Sequence, residues 1–135
     1  MSVEVDHLGI AVRNLAEGLE FYEKALGMKV SLRGTVESEG VHVAMLPAGS
    51  SADAPRIELL EAAHEASTIA KFVGLRGPGL HHVALRVDDL GAAVERLTTG
   101  GYRVLHEPRI GAGGHMYVFV HPQSTGGVLL ELIQK

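Results

Sequence analysis

VDHLGIAV, Val5–Val12, and LHHVALRV, Leu80–Val87, are two versions of one stretch, laid over each other at an offset of 75 residues. Leu15 falls on Leu90 and Glu20 on Glu95 at the same offset. Gly27 then falls on Gly101 and Val30 on Val104 at 74, and Glu58-Leu59 on Glu131-Leu132 at 73. An offset that shrinks in single steps is what small loop deletions leave behind after duplication. The chain is therefore read as a repeat before anything else is read from it.

Each copy predicts strand, helix, then three strands. His7-Leu8-Gly9-Ile10-Ala11-Val12 alternates with period two, the pattern of a half-buried strand. Asn14 is placed as a helix N-cap with Glu17 three residues on. Leu15, Leu19, Tyr22 and Leu26 form one apolar face, and Gly27 ends the helix. In the second copy Asp89 caps, Leu90, Val94 and Leu97 make the stripe, and Gly100-Gly101 terminates. Strands are expected near 29–34, 41–46 and 56–60, and again near 102–106, 116–120 and 128–133. Ser67 opens a short helix that Gly74 ends, and Gly77-Pro78-Gly79 marks a linker. The fold class is thus α+β. Two tandem βαβββ modules, 3–66 and 80–133, are joined by a short helix and linker at 67–79. Modules this small bury too little surface to be secure alone, so residues 1–135 are expected to form a single domain.

Composition narrows the classes of function. Hydrophobic residues make up 46% and charged residues 21% of the 135, the balance of a globular chain. With 12 Lys+Arg against 16 Asp+Glu the net charge is −4, which argues against nucleic acid or an anionic membrane as partner. No apolar run reaches the ~20 residues of a membrane span. The opening residues lack the basic and apolar regions of a signal peptide, so none is expected. There is no cysteine, which removes disulfides, thiol nucleophiles and cysteine-ligated metals. There are eight histidines to account for.

Strand parity sorts them. Residues two apart on a strand share a face. Leu8, Ile10 and Val12 belong under the helix, which puts His7 with Gly9 and Ala11 on the other face. In the second copy His82 and Ala84 lie opposite Val83, Leu85 and Val87. Glu58 opposes Ile57 and Leu59, and Glu131 opposes Leu130 and Leu132. Each copy thus sets one His and one Glu, beside small residues, on the face away from its helix. A carboxylate among apolar strand residues needs a charge partner. Two such pairs make an N₂O₂ donor set that suits a divalent metal with open positions. His81 is read as structural, His42, His64, His106 and His121 as surface, and His115 is left open.

These residues carry a resemblance. The chain resembles the vicinal oxygen chelate superfamily and, within it, the methylmalonyl-CoA epimerase family over residues 3–133. The stretches that match are DHLGIAV (Asp6–Val12), STIAKF (Ser67–Phe72), GPGLHHVALRVDD (Gly77–Asp89), EPRIGAGGH (Glu107–His115) and HPQSTGGVLLEL (His121–Leu132). The resemblance implies two modules pairing their sheets around one metal-binding cavity. It implies His7, His82 and Glu131 as metal ligands, with Glu58 at or beside the metal. The ion implied is Co²⁺, with Zn²⁺, Mn²⁺ or Ni²⁺ as the other divalent choices. It also implies an acyl-CoA thioester substrate, a homodimer, a cytoplasmic location and a place in propionate metabolism. One position departs: where some epimerases have a glutamate proposed as base, this chain has Val43. Glu58 is then a candidate base as well as a candidate ligand.

The chemistry expected is removal and return of an α-proton beside a thioester, with Glu58 and Glu131 as the catalytic groups. It requires neither a thiol nor a redox cofactor. Glycine-rich stretches at 111–114 and 124–127 can cradle oxyanions through backbone N–H groups. The expected substrate contacts are accordingly Ser67, Lys71, Arg109, Gly113, Gly114, His115, Ser124 and Thr125, with Arg86 a further charge partner. Other functions compatible with the pattern are a glyoxalase I-type lyase, an extradiol dioxygenase and a non-enzymatic ligand-binding module.

Overall fold

The structure, a computed structural model, describes residues 2–135. Two compact units emerge: His7–His81, and the residues up to Asp6 together with His82–Lys135. The first strand, β1 (Val3–Ala11), is divided between them.

In the first unit α1 (Leu15–Leu19) is followed by β2 (Leu32–Val36), β3 (Val41–Pro47), β4 (Arg56–Ala62) and α2 (Thr68–Arg76). The strands lie in the order β2-β3-β4-β1, with β4 parallel to β1 and the other neighbours antiparallel. Leu15, Leu19, Ala44, Leu46 and Leu59 form the core between helix and sheet. The Asn14 side chain accepts from the Glu17 amide at 2.9 Å, and Glu61 Oε1 accepts from the Leu15 amide at 2.7 Å. Two orphan donors at the start of the helix are thereby satisfied.

The helix does not continue as its apolar stripe predicts. Residues Glu20–Ala25 widen into a π-helical turn, and the Leu26 amide donates to Phe21 O at 2.8 Å. The wider turn rotates Leu26 out to solvent, while Tyr22 stays packed against the core. Gly27 closes the segment at φ +83°, where a side chain would be strained. The strand expected from residue 29 begins at Leu32.

The second unit contains β5 (Gly79–Val87) from His82 onward, α3 (Leu90–Thr99), β6 (Arg109–Ile110), β7 (Met116–Val120) and β8 (Leu130–Gln134). The strand order is β5-β8-β7-β6, with β5 and β8 parallel. Val87, Leu90, Ala93, Val118, Val120 and Leu132 make its core. Asp89 caps α3 by accepting from the Ala92 amide at 3.0 Å. The strand expected at 102–106 is reduced to one bridge, Val104 with Val120, and the edge strand forms later as β6. At the open end of β5, the buried Asp6 carboxylate lies 2.9 Å from Lys135 Nζ and 3.5 Å from Arg86 Nη1. Arg86 also pairs with Glu4 at 2.6 Å.

Candidate metal and active-site residues

In the first unit His7 and Glu58 come from neighbouring parallel strands, and the residue opposite Glu58 on β1 is Gly9. His7 Nε2 lies 3.3 Å from Glu58 Oε1. The second unit builds the same pair again, with His82 Nε2 3.1 Å from Glu131 Oε1 across β5 and β8. The same two atoms meet in both copies. All four side chains are buried, from 2% exposed at His7 to 7% at Glu131. Neither carboxylate is a solvated edge residue.

Buried carboxylates in such positions need compensation. A neutral imidazole supplies part of it by donating Nε2–H to the carboxylate. A divalent ion taking that proton's place would hold the same two atoms. Donors bound at right angles, each about 2.1 Å from a metal, lie about 3.0 Å apart. The observed separations, 3.3 and 3.1 Å, lie within a few tenths of an ångström of that figure.

The surroundings of the two pairs differ. Met45 stands across from Glu58 on β3, with Val43 and Leu60 facing each other two residue pairs further on. Val43 is 1% exposed, so β3 presents a buried apolar side chain at that place. The residue across from Glu131 is Phe119, whose ring lies 5.5 Å from the His82 ring at 86°. Tyr117 follows Phe119 on the same face, 5.7 Å away between ring centres. Neither aromatic was expected at the site. The alternation in MYVFV, Met116–Val120, carries the signal, because Phe119 pairs with Glu131 once the strands are aligned.

The other expected contacts are placed as follows. Ser67 is buried and caps α2, its hydroxyl accepting from the Ala70 amide at 3.1 Å. Lys71 is exposed on α2, and Arg109 is exposed on β6. Gly113 and Gly114 have φ of +75° and +79°, and the Gly114 amide donates within its own turn to Gly111 O. The half-buried His115 follows them. Ser124 Oγ accepts from the Arg103 amide at 3.0 Å, and Thr125 Oγ1 donates to the carbonyls of Pro122 and Val128. Ser124 and Thr125 line a cavity of about 450 Å³ with Val83, Leu85, Leu97 and Leu130. By strand parity that cavity lies on the helix side, away from His82 and Glu131. Arg86 is engaged with Glu4 and Asp6.

Of the remaining histidines, His81 meets the Phe72 ring edge to face at 5.0 Å and His42 Nδ1 lies 2.9 Å from Thr35 Oγ1. His121 caps the turn at Pro122–Ser124 by accepting from the Gln123 amide. Of the four histidines expected at the surface, His64 is exposed, while His42, His121 and His106 are half-buried, His106 among aromatic rings.

A strand-helix-strand unit built twice, with a His–Glu pair on corresponding strands, defines a class. The sequence model of the Glyoxalase/Bleomycin resistance protein/Dioxygenase superfamily matches residues 6–119, and the chain belongs to that superfamily. Within it, the chain is 37% identical over 134 residues to the ethylmalonyl-CoA/methylmalonyl-CoA epimerase of Cereibacter sphaeroides, covering 96% of each protein. It is 39% identical to the solved methylmalonyl-CoA epimerase of Mycobacterium tuberculosis, with a TM-score of 0.90 over 96% of this chain and 86% of that one. A methylmalonyl-CoA epimerase solved in complex with methylmalonyl-CoA and NH4+ matches at a TM-score of 0.94 and 35% identity, over 100% of this chain and 96% of that one.

Proposed function

We propose that the protein is an epimerase of methylmalonyl-CoA, an isomerase that interconverts the two configurations at the α-carbon by proton transfer. The observation that carries this is the duplicated pair, His7–Glu58 and His82–Glu131, with the same nitrogen and oxygen facing each other in both units. The likeness to the epimerases, one of them solved with methylmalonyl-CoA, supports the choice of substrate.

His7, His82 and Glu131, with Glu58 at or beside them, would hold one divalent ion, and Co²⁺ is the ion we propose. Bound there, the ion supplies Lewis-acid stabilisation of the negative charge that develops on the substrate oxygens, worth several kcal/mol. The residues do the rest. Inversion needs one group to take the α-proton and another to return a proton to the opposite face. Glu58 and Glu131, one from each unit, are those groups. A positioned carboxylate contributes about 10²–10⁴-fold as general base. Val43 and Leu60 exclude water on the Glu58 side and leave that carboxylate as the proton-transfer group of its unit. Lys71, Arg109 and the turns at Gly113–His115 and Ser124–Thr125 are proposed to contact the coenzyme A thioester. A single cooperative domain, a homodimer, a cytoplasmic location and a place in propionate metabolism belong to the same proposal.

The test is incubation of the purified protein with one epimer of methylmalonyl-CoA in D₂O, with and without chelator. Deuterium should enter the α-position as the epimers equilibrate, stop on chelation, and resume when Co²⁺ is restored. A folded, metal-supplied protein that neither exchanges the proton nor equilibrates the epimers overturns the assignment.

A further inference from the structure

His106 lies where the second unit should have an edge strand. The chain begins one: the Leu105 amide donates to Phe119 O at 2.9 Å, as the Ser31 amide donates to Met45 O at 2.8 Å at the matching place in the first unit. There the first unit continues, with Leu32 pairing to Met45 and β2 running on to Val36. The second unit does not. The Phe119 amide donates instead to His106 Nε2 at 3.2 Å, a side-chain nitrogen in place of a strand carbonyl.

That bond settles the protonation of the ring. An amide N–H can only donate, so Nε2 carries the lone pair and the proton sits on Nδ1. Nδ1 lies 2.7 Å from Glu107 O, which can only accept. Both contacts demand the same neutral tautomer. The imidazole also meets the Tyr117 ring at 5.7 Å and the Phe119 ring at 6.0 Å, both steeply inclined. Phe119 in turn packs on His82 and faces Glu131 across β7 and β8.

We propose that His106 is a positioning residue for the second His–Glu pair. Held as the Nδ1–H tautomer, it anchors the Phe119 backbone, and the Phe119 ring fixes the orientation of the His82 imidazole beside Glu131. This rests on the proposal that the pair binds a divalent ion. Groups that orient metal ligands are commonly worth about 10–100-fold in metal affinity. His106 acts one contact further out, so the effect expected is about three- to tenfold.

Two variants separate the acceptor from the ring. His106→Gln keeps an acceptor the same number of bonds from Cα as Nε2, whereas His106→Phe keeps the ring and loses the acceptor. Metal-free protein is titrated with Co²⁺, and thermal unfolding is followed in parallel. His106→Phe should bind Co²⁺ about three- to tenfold more weakly, with His106→Gln within about twofold of wild type. Unchanged affinity in His106→Phe overturns the proposal, as does equal weakening in both variants. Should His106→Phe not fold, long-range ¹H–¹⁵N correlation of the wild-type imidazoles decides instead: a His106 ring protonated on Nε2 overturns it. A wild-type protein that takes up no Co²⁺ sinks the metal assignment itself, and this proposal with it.

Discussion

The two units carry one His–Glu pair each, 3.3 Å and 3.1 Å across, in different surroundings. Glu58 faces Met45 in an aliphatic wall, and Glu131 faces Phe119 in an aromatic one. Beneath the sheets the contrast reverses. Tyr22 and Met28 pack against the core of the first unit, while Leu97 and the half-exposed Tyr102 at the matching places leave the cavity of about 450 Å³. Duplication preserved the donor atoms and let the packing around them diverge. That is the result to expect if, as proposed above, the donor atoms of both pairs are under one constraint and the walls around them are not.

The largest test of this division is catalytic. Glu58→Gln and Glu131→Gln should each slow α-proton exchange by about 10²–10⁴-fold. Followed by deuterium incorporation from D₂O, wild-type-like exchange in the double variant would remove both carboxylates from the mechanism. Next in size are the cores. Leu59→Ala, at a fully buried position, should cost about 3–5 kcal/mol, and Leu132→Ala about 2–3 kcal/mol because the second unit has room to relax. Denaturant midpoints give both, and the reverse order would break the packing contrast. The helix stripe offers a reciprocal exchange. Tyr22→Leu should destabilise by about 1–2 kcal/mol, and Leu97→Tyr, which fills the cavity, should stabilise by about 0.5–1 kcal/mol. Loss of stability in Leu97→Tyr by thermal melting would mean that the cavity cannot admit a ring. Smallest are the caps: Asp89→Ala and Asn14→Ala should cost similar amounts, about 1 kcal/mol each, because a second side chain, Gln134 at α3 and Glu61 at α1, accepts from the first amide of each helix at 2.7 Å. Clearly unequal melting shifts would show that Glu61 and Gln134 do not share the capping to the same extent.

Where a side chain's role follows from strand parity, the amino-acid order displays it. His7, Glu58, His82 and Glu131 could be placed on the faces away from the helices from alternation alone. The caps Asn14, Ser67 and Asp89 are equally legible, since each is a local bond to a backbone amide three residues on. Legibility fails where the backbone leaves the regular period. A π-helical turn at Glu20–Ala25 has no local marker, so Leu26 reads as core although it is 59% exposed. The strand expected at 102–106 has the right apolar pattern, but the imidazole of His106 takes over the hydrogen bonding where a carbonyl would continue it. Phe119 was overlooked for another reason: its importance comes from its partner across the sheet, and pairing is not a property of one strand.

Asp6 has a consequence for the order of folding. Its neighbour Glu4 meets Arg86 across 82 residues of chain, and Asp6 meets both Arg86 and the still later Lys135. During synthesis this acid has no basic partner from the second unit until β5 has been made, and lacks Lys135 until the last strand follows. Closing so long a loop is entropically costly and slow compared with closing α1 on its own sheet. The opening residues of β1 are therefore expected to dock after the strand's second half has joined the first unit, an order that pulsed hydrogen exchange during refolding would check. On that expectation one strand takes part in both early and late steps of assembly, with the ion cluster at Asp6 among the late contacts.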